Sequence, residues 1–480
     1  MGSLRIIPGT VTGRSLRALI LGVEAGASNI QLRVMGSGEP VPVAVRNLQP
    51  SPELGRQLNA RGVRLKVAEA SGLAPGTRYS IIAASTEAQT VAVTVETLPE
   101  RLPAVGVTIA VASCFYDHFG ADLGYLAALK GARWFTPPAM KWLVGDNVYL
   151  DVAPDQSRYR DGHEETAIRY VRAFCQSKYA DVLSHLPTSV TWDDHELWNN
   201  YPESQVHLLR TRPPLREGYA AAAQEALDLF QVPLNPPPVV PGGRSFASRV
   251  GEVGVFFADL RTRRTPVRSR APMLMPEAEL DALCAWARGL EGPGVLVVGQ
   301  PLWGQAGSAF TDVGPPAYRA QYARIWRALA EARYDMLLVA GDVHHSRLLE
   351  FDLGNDRKVH EFVSSPACHI PSTASIALNS YKGQGKGAIR FPDRIELDER
   401  AAGCRPRLGR YHFGADVQQT IGLLHLAPAA AAGEIEVSAA FIDSVAGVAA
   451  EARPSGSSAP AAGRLRCIGQ RLFTLRRRAP

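Results

Sequence analysis

A series of apolar stretches after residue 106 ends in side chains that bind metals or transfer protons. Five of these stretches stop at Cys114, Asp146, Asp193-Asp194-His195, Asp259 and Asp342. Turn formation or helix capping accounts for one or two such endings, but not for five of this chemistry. In an α/β fold, ligands bind beyond the carboxyl ends of buried strands. The sequence therefore predicts a buried sheet whose strands bring these side chains to one edge.

The spacing of the apolar stretches predicts how the chain is divided. Between residues 106 and 445, apolar strands alternate with longer helical segments, which is typical of an α/β domain. Residues 1–100 carry short alternating runs between Gly, Pro and Ser clusters, which predicts a small β-sandwich. Residues 72–83 resemble the corner where fibronectin-type domains enter a strand with a buried tyrosine. Residues 446–480 are predicted to be a mostly irregular tail, with one edge strand over RCIGQRLFTL as an alternative.

One helix can be bounded from the sequence. Residues 276–289 begin with a proline, carry Glu277 and Glu279 near the positive end of the helix dipole, and place apolar residues at helical spacing. A helix of this kind covers one face of a sheet.

Composition argues against several classes of protein. With 480 residues, 46% of them hydrophobic, the chain can bury the cores of two or more domains. The net charge is +6, but the basic residues are scattered, so no specific nucleic-acid binding is predicted. No stretch approaches the roughly 18 apolar residues that a membrane span needs. As written, the chain is expected to be cytoplasmic; loss of an export signal ahead of it would make it periplasmic or secreted.

The motif VGDNVYLD predicts a site for two cations. Gly145 allows a sharp turn, and the two oxygens of Asp146 can bridge a pair of metal ions. Tyr149 lies three residues on, where its phenolate would be a ligand; the alternative is an aromatic core residue. The segment resembles metallophosphoesterases, and the Asp-x-x-Tyr spacing is the variant that holds ferric iron, as in purple acid phosphatases.

The motif TWDDHELWNN supplies a candidate acid and a further metal ligand. Metallophosphoesterases place a metal-binding Asn before a catalytic His and an acid after it, and Asp194, His195 and Glu196 occupy those positions. The resemblance makes Asp194 a ligand and His195 the residue that orients the substrate or protonates the leaving oxygen. The role of Asp193 stays open, and Glu196 is interpreted as an acceptor that orients the imidazole.

Two departures from the superfamily pattern narrow the resemblance. In AGDVHHS, Asp342 replaces the first imidazole of Gly-His-x-His and His344 supplies the second, while His345 is a weaker candidate. At the end of the first strand, Cys114 stands in place of Asp-x-His, and a thiolate is a strong ligand for iron or zinc. Together with the two motifs above, these residues resemble the PhoD-like alkaline phosphatases and phosphodiesterases over roughly residues 1–445.

An arginine-rich segment extends the resemblance. FFADLRTRRTP is similar to the Asp-x-Arg-x-x-Arg of this family, with Asp259, Arg261 and Arg264 in those positions. Arg261 is predicted to be a catalytic residue that clamps phosphate oxygens, the alternative being an ion pair with Asp259. The role of Arg264 stays open.

The resemblance implies the fold and the metals. The implied fold is α/β, a metallophosphoesterase αββα sandwich of two packed mixed sheets flanked by helices, preceded by a fibronectin- or immunoglobulin-like β-sandwich. Ferric iron (Fe3+) and one or two calcium ions (Ca2+) are the expected cofactors, with Zn2+, Mn2+ or Mg2+ as alternatives. The implied iron ligands are Cys114, Tyr149 and the bridging Asp146; the implied calcium ligands are Asp146, Asp194 and Asp342, with His344 at either metal. Asp117 and His118 are not among the predicted ligands.

The implied reaction is the hydrolysis of phosphate esters. A metal-bound hydroxide or oxide would attack phosphorus in line, while His195 and Arg261 assist. The expected substrate is a small phosphate ester, or a phosphodiester in a polymer or a lipid head group. The alternatives are a specialised phosphodiesterase or phospholipase D-like enzyme, and a metal-binding protein of the same fold that has lost the chemistry.

Overall fold

The structure is a computed structural model of the chain. It describes residues 3–23, 31–36, 38–86, 88–116, 126, 129, 136–151, 159–205, 208–303, 313–354, 357–368, 407–416, 419–443 and 467–478. No helix in these ranges is both long enough and apolar enough to cross a membrane.

The N-terminal part of the chain forms a β-sandwich. Its strands are β1 (Ser3–Val11), β2 (Ser15–Val23), β3 (Gln31–Gly36), β4 (Glu39–Val41), β5 (Ala44–Asn47), β6 (Arg64–Ser71), β7 (Arg78–Ser85) and β8 (Ala88–Glu96), with helix α1 (Pro52–Ala60) between β5 and β6. The two sheets have the strand orders β1-β2-β6-β5 and β4-β3-β7-β8. Tyr79 is buried, and its hydroxyl accepts a hydrogen bond from the backbone amide of Ala74 at 2.9 Å. The predicted corner with its buried tyrosine is therefore confirmed.

Two larger sheets contain the remaining strands. These are β9 (Val107–Ala112), β10 (Pro138–Val144), β11 (Thr188–Thr191), β12 (Phe246–Val250), β13 (Val253–Ala258), β14 (Gly294–Val298), β15 (Met336–Ala340), β16 (His345–Asp352), β17 (Lys358–Val363), β18 (Arg407–Asp416), β19 (Thr420–Pro428), β20 (Ile435–Asp443) and β21 (Cys467–Leu475). The six-stranded sheet has the order β11-β10-β9-β19-β20-β21, and the seven-stranded sheet β12-β13-β14-β15-β17-β16-β18. Within them, β9, β10 and β11 run parallel, as do β13, β14 and β15.

Helices cover the outer faces of both sheets. They are α2 (Gly162–Val171), α3 (Tyr179–Ser184), α4 (Arg216–Phe230), α5 (Glu277–Arg288) and α6 (Arg319–Glu331). One apolar core lies between the sheets and includes Trp142 and Phe257. A second core joins α2–α4 to the six-stranded sheet, and a third joins α5 and α6 to the seven-stranded sheet. The αββα sandwich predicted from the sequence is confirmed, and α5 matches the predicted helix.

The β-sandwich packs on the helical side of the six-stranded sheet. Ile7, Leu19 and Leu54 belong to the same apolar core as α2–α4. The hydroxyl groups of Thr10 and Ser189 lie 2.8 Å apart and link β1 to β11. The two parts of the chain therefore share a core.

The end of the chain contributes more structure than an irregular tail. β21 pairs antiparallel with β20 and forms an edge of the six-stranded sheet. Arg478 is buried, lies 3.3 Å from Asp335, and donates to the carbonyl oxygen of Leu329 near the end of α6. The edge strand considered for this segment is present, and the basic terminus is anchored instead of being freely solvated.

A buried lysine joins the six-stranded sheet to a helix. Lys141 on β10 is fully buried, and its Nζ donates to the carbonyl oxygens of Leu183 at 3.0 Å and Leu186 at 2.7 Å, next to the end of α3. Burial lowers the pKa of Lys141 well below its ordinary value. Lys141 therefore lies inside a buried strand.

We expect this lysine to make stability depend on pH. The unfolded chain holds its proton up to a pKa of about 10.4, so above the depressed pKa of the folded state the unfolded chain binds more protons. The free energy of unfolding then rises with pH across this window, by at most about 1.4 kcal/mol per pH unit. Urea unfolding of Lys141→Met between neutral and alkaline pH should show a flatter rise than the wild type. The exposed Lys178→Met is the control, and an equal slope in both variants would contradict the prediction.

Candidate metal centre

The ends of parallel strands from both large sheets meet at one edge of the molecule. Cys114, Asp146, Asp193 and Asp342 each stand two residues after the last residue of a strand, namely β9, β10, β11 and β15. Ligand atoms from these residues fall into overlapping groups within which all atoms lie within 4.8 Å of one another. The edge predicted from the sequence thus brings its thiol and most of its carboxylates together, whereas the predicted Asp259 belongs to none of these groups.

The backbone at this edge adopts a conformation that L-residues rarely take. The φ angles are 55° at Cys114, 55° at Asp146, 65° at Asp342 and 48° at His344. A non-glycine residue in this left-handed region costs about 1–3 kcal/mol and persists where the surrounding structure imposes it. Such residues concentrate at functional sites. Four of the six predicted metal ligands therefore carry this strain, and Asn200 in the motif TWDDHELWNN also has a positive φ, of 60°.

Glycines let the two sheets approach closely behind these residues. A Cβ atom on Gly299 would lie 2.1 Å from the carbonyl oxygen of Trp192, and one on Gly341 would lie 2.3 Å from that of Val144. Both distances are far below van der Waals contact, so any side chain here would push the strand ends apart. The close approach keeps side chains from different sheets within reach of a common ion.

A thiol and a phenol lie close to one oxygen of the central carboxylate, and an imidazole lies beside the phenol. Sγ of Cys114 lies 3.3 Å from Oδ2 of Asp146, and the Tyr149 hydroxyl lies 3.4 Å from the same oxygen. The Tyr149 hydroxyl is also 3.4 Å from Nε2 of His344. Tyr149 is buried, but its hydroxyl faces the ligand cluster. This geometry favours the ligand interpretation of Tyr149 over an ordinary core aromatic.

Four carboxylates form the adjoining group. Asp146, Asp193, Asp194 and Asp342 offer oxygens that all lie within 4.8 Å of one another. Oδ2 of Asp194 accepts a hydrogen bond from the Asn200 amide, whereas its buried Oδ1 has no hydrogen-bond partner among the described residues. A buried carboxylate oxygen without a partner is costly. A cation bound among these oxygens would satisfy it, so the donor set fits a metal ion.

The charges of the cluster need a cation to balance them. Burial raises the pKa of the Cys114 thiol well above its ordinary value, and the carboxylates of Asp146 and Asp342 raise it further. Burial, followed by Cys114 and Asp146, likewise raises the pKa of Tyr149. Burial also raises the pKa of Asp146. A metal ion reverses this tendency, because it favours the ionised form of every ligand.

His195 is held by an aspartate to which the sequence assigned no role. Its Nδ1 lies 2.7 Å from Oδ1 of Asp151, and both side chains are almost fully buried. The other oxygen of Asp151 accepts from the Asn199 amide at 2.7 Å. Burial lowers the pKa of His195, but the carboxylates of Asp151, Asp194 and Asp146 outweigh it and raise this pKa well above its ordinary value.

The hydrogen bonds that the structure gives the Glu196 carboxylate come from backbone amides and not from the imidazole of His195. Its carboxylate accepts from the amides of Asp146 at 3.0 Å, Asn147 at 2.5 Å and Asp193 at 3.0 Å. The interpretation of Glu196 as the acceptor that orients His195 is therefore wrong, because Asp151 holds the imidazole. Glu196 instead ties the turn after β10 to the turn after β11.

Arg261 forms an ion pair that neither sequence alternative foresaw. Its Nε lies 2.6 Å from Oδ1 of Asp193 and its NH2 3.1 Å from Oδ2, and both side chains are 1% exposed. Its NH1 donates to the carbonyl oxygen of Tyr201 at 3.1 Å. Asp259 accepts a hydrogen bond from the Arg261 backbone amide at 3.0 Å. Contact of Arg261 with phosphate stays a prediction.

Some residues considered in the sequence lie outside the described part of the structure. These are Asp117, His118 and the side chain of His345.

Two residues that border the cluster were not predicted, namely Asp151 and Gln300. Asp151 closes the motif VGDNVYLD, and Gln300 follows a buried strand just as the other site residues do. The position of Gln300 just after a buried strand is the sequence signal that could have identified it.

Comparison with solved structures gives a likeness that covers nearly the whole chain. A structure of PhoD matches with a TM-score of 0.63 over 97% of this chain and 91% of that chain, at 16% sequence identity. The chain has a PhoD-like fold. An IgNAR antibody domain C3 (14% identity, TM-score 0.15, 20% of this chain and 94% of that one) is too different in shape to support any inference. The same is true of a glycosyl hydrolase family 2 member from Bacteroides cellulosilyticus (9% identity, TM-score 0.23, 70% and 37%).

The PhoD-like fold rests on shape and not on overall sequence similarity. No protein-family model matches the chain, and no curated protein matches it significantly. The likeness to PhoD includes the β-sandwich, since it extends over 97% of the chain. At 16% identity the likeness shows the fold, so the chemistry has to be argued from the candidate metal centre itself.

Proposed function

We propose that this protein is a metal-dependent phosphoesterase. The observation that carries the proposal is a group of four carboxylates beside a thiol and a phenol, three of them buried and that of Asp342 half-buried. Within it, Oδ1 of Asp194 lacks a hydrogen-bond partner among the described residues. Holding these negative groups together is costly without cations, because they repel one another in a site that is largely shielded from water. The PhoD-like fold supports the reaction class by analogy.

The ligand types suggest two kinds of metal. Cys114 and Tyr149 would hold ferric iron with Asp146 and His344, since thiolate and phenolate suit a softer or more highly charged ion. Asp194 and Asp342 would hold a hard ion such as calcium, with Asp146 shared between the sites. When bound, these ions neutralise phosphate charge and lower the pKa of coordinated water.

His195 and Asp151 would handle the proton of the leaving group. Asp151 accepts from Nδ1 of His195, which fixes the orientation of the imidazole and directs Nε2 away from this contact. The raised pKa of His195 keeps a proton available near neutral pH. Asp151 is not among the candidate metal ligands, so its carboxylate would remain available to stabilise a protonated imidazole. His195 is therefore suited to donate a proton to the departing oxygen.

The reaction class can be tested with simple esters. The protein, supplied with iron and calcium, is expected to hydrolyse p-nitrophenyl phosphate, bis-p-nitrophenyl phosphate or both, and a chelator should remove the activity. The ratio of the two rates distinguishes a monoesterase from a specialised phosphodiesterase, and a choline phospholipid tests for lipid head groups. Stable metal binding without hydrolysis of any ester would instead identify a metal-binding protein that has lost the chemistry.

The iron assignment predicts a coloured protein. A phenolate bound to ferric iron absorbs visible light, so the purified protein should show a band that Tyr149→Phe abolishes. Tyr170→Phe is a matched control, because Tyr170 is equally buried but contacts Gln231 in the helical core. A colourless wild type that contains only zinc would contradict the iron assignment while leaving the phosphoesterase proposal intact.

A further inference from the structure

Gln300 joins a candidate metal ligand to a buried arginine. It stands two residues after β14, between Arg264 and Asp342. Its Nε2 lies 3.2 Å from Oδ2 of Asp342, and its Oε1 lies 3.0 Å from NH2 of Arg264. Gln300 is 5% exposed and Arg264 is 3% exposed. The hydrogen bond between Gln300 and Arg264 is buried, whereas the one between Gln300 and Asp342 is partly buried.

The arginine determines which way the amide faces. A guanidinium group only donates hydrogen bonds, so it must face the amide oxygen of Gln300. The amide nitrogen is then left to face Asp342, and it can only donate. A group that presents a donor cannot coordinate a cation at the same point. Gln300 therefore offers a hydrogen bond to Asp342 and no ligand to a metal.

Arg264 is itself fixed by contacts on several sides. Its Nε donates to the carbonyl oxygen of Leu260 at 3.0 Å, and its NH1 donates to that of Val313 at 2.8 Å. The guanidinium lies 5.2 Å from the centre of the Tyr318 ring. These contacts tie the segment after β13 to the segment before α6. The arginine has little freedom, so the amide it holds has little freedom either.

We propose that Arg264 and Gln300 are positioning residues that orient the carboxylate of Asp342 for a divalent cation. The proposal rests on the metal site of the proposed function. The φ angle of Asp342 is 65°, a conformation that L-residues disfavour, so contacts with neighbouring residues have to hold Asp342 in place. A donor on Oδ2 restrains the rotation of the carboxylate and directs its other oxygen elsewhere. Partners of this kind typically contribute 10- to 100-fold to metal affinity.

The test is calorimetric titration of the full chain with calcium, and separately with manganese. The variants are Gln300→Met, which removes both hydrogen bonds at similar volume, Arg264→Met, and the double variant. We expect each single variant to weaken divalent binding about 10- to 100-fold. Because the residues act in series, the double variant should bind no more weakly than the single ones. Melting of the metal-free proteins checks that each variant is folded.

The controls use a second arginine and glutamine pair. On α1, NH1 of Arg61 donates to Oε1 of Gln57 at 3.0 Å, far from the cluster, so Gln57→Met should bind both metals as the wild type does. If Arg264→Met fails to fold, Arg264→Lys replaces it, and an intermediate loss is expected because Lys keeps the charge but not the fork.

Two results would overturn the positioning role. One is wild-type affinity in Gln300→Met. The other is complete loss in Gln300→Met with no effect of the arginine variants, which would make Gln300 itself a ligand. A wild-type chain that takes up neither calcium nor manganese would contradict the proposed function, and the role of the pair with it.

Discussion

Replacing Asp146 by Asn is expected to lower phosphoester turnover by about a thousandfold or more. Asp146 belongs to every group of ligand atoms in the cluster, and its two oxygens face different partners: Oδ2 faces Cys114 and Tyr149, and Oδ1 accepts from the His195 amide at 3.3 Å. An amide has one oxygen and no charge, so it cannot bridge two cations. Loss of several kcal/mol of charge stabilisation corresponds to a rate effect of this size.

The effect of Asp146→Asn on stability should depend on whether metal is present. Burial raises the pKa of Asp146, so the metal-free protein holds this carboxylate at a cost. Asp146→Asn should therefore melt at the same temperature as the metal-free wild type or above it, while losing the increase in melting temperature that added metals give the wild type. Asp281→Asn on α5, which loses an exposed ion pair with Arg324 on α6, is the control. A variant that keeps both metal content and turnover would refute a bridging Asp146.

The parts of the site that were predictable are those marked by local pattern. Cys114, Asp146 and Asp342 each end an apolar run, and parallel strands must place such endings at one edge. The helix over residues 276–289 was also predictable, because a proline begins it and a glycine follows it. In these cases a few adjacent residues carry the whole signal.

The unpredicted contacts are those between residues far apart in the chain. Asp151 and His195 are separated by 44 positions, Gln300 and Asp342 by 42, and Asp193 and Arg261 by 68. Each segment offers several polar residues of the same type, and only the packing of the two sheets selects the pair that meets. The sequence of either segment alone therefore does not reveal which residues form the pair.

Some secondary structure was missed for a different reason. β12 pairs with β13 through a hairpin turn at Gly251 and has an exposed outer face, so its residues FASRV show little of the apolar run that marks a buried strand. Helix α2 was not predicted either, although its sequence contains a local signal for a helix start. The side chain of Asp161 caps it by accepting from the Glu164 amide, and an aspartate followed by glutamates is a typical helix start.

Replacing Arg261 by Met is expected to destabilise the fold by about 3–5 kcal/mol. Arg261 and Asp193 pair through two hydrogen bonds, and both are 1% exposed. Without the arginine, Asp193 would stay buried beside Asp194, and its raised pKa shows that burial already disfavours its charge. Urea unfolding measures the effect. Arg288→Met removes an exposed pair with Glu331 and should cost no more than about 1 kcal/mol.

The double variant Arg261→Met with Asp193→Asn separates a structural arginine from one that contacts phosphate. Removing both charges leaves no unpaired ion, so most of the lost stability should return. The reference for activity is Asp193→Asn, which lacks the same carboxylate but keeps the arginine. If Arg261 only holds Asp193, the double variant should match the catalytic efficiency kcat/KM of Asp193→Asn. If the guanidinium also contacts phosphate, stability should recover while kcat/KM stays about a hundredfold or more below that of Asp193→Asn, because a charged donor is missing from the transition state. A double variant as unstable as Arg261→Met alone would contradict the ion-pair explanation, since the loss would then come from packing or from the hydrogen bond to the Tyr201 carbonyl.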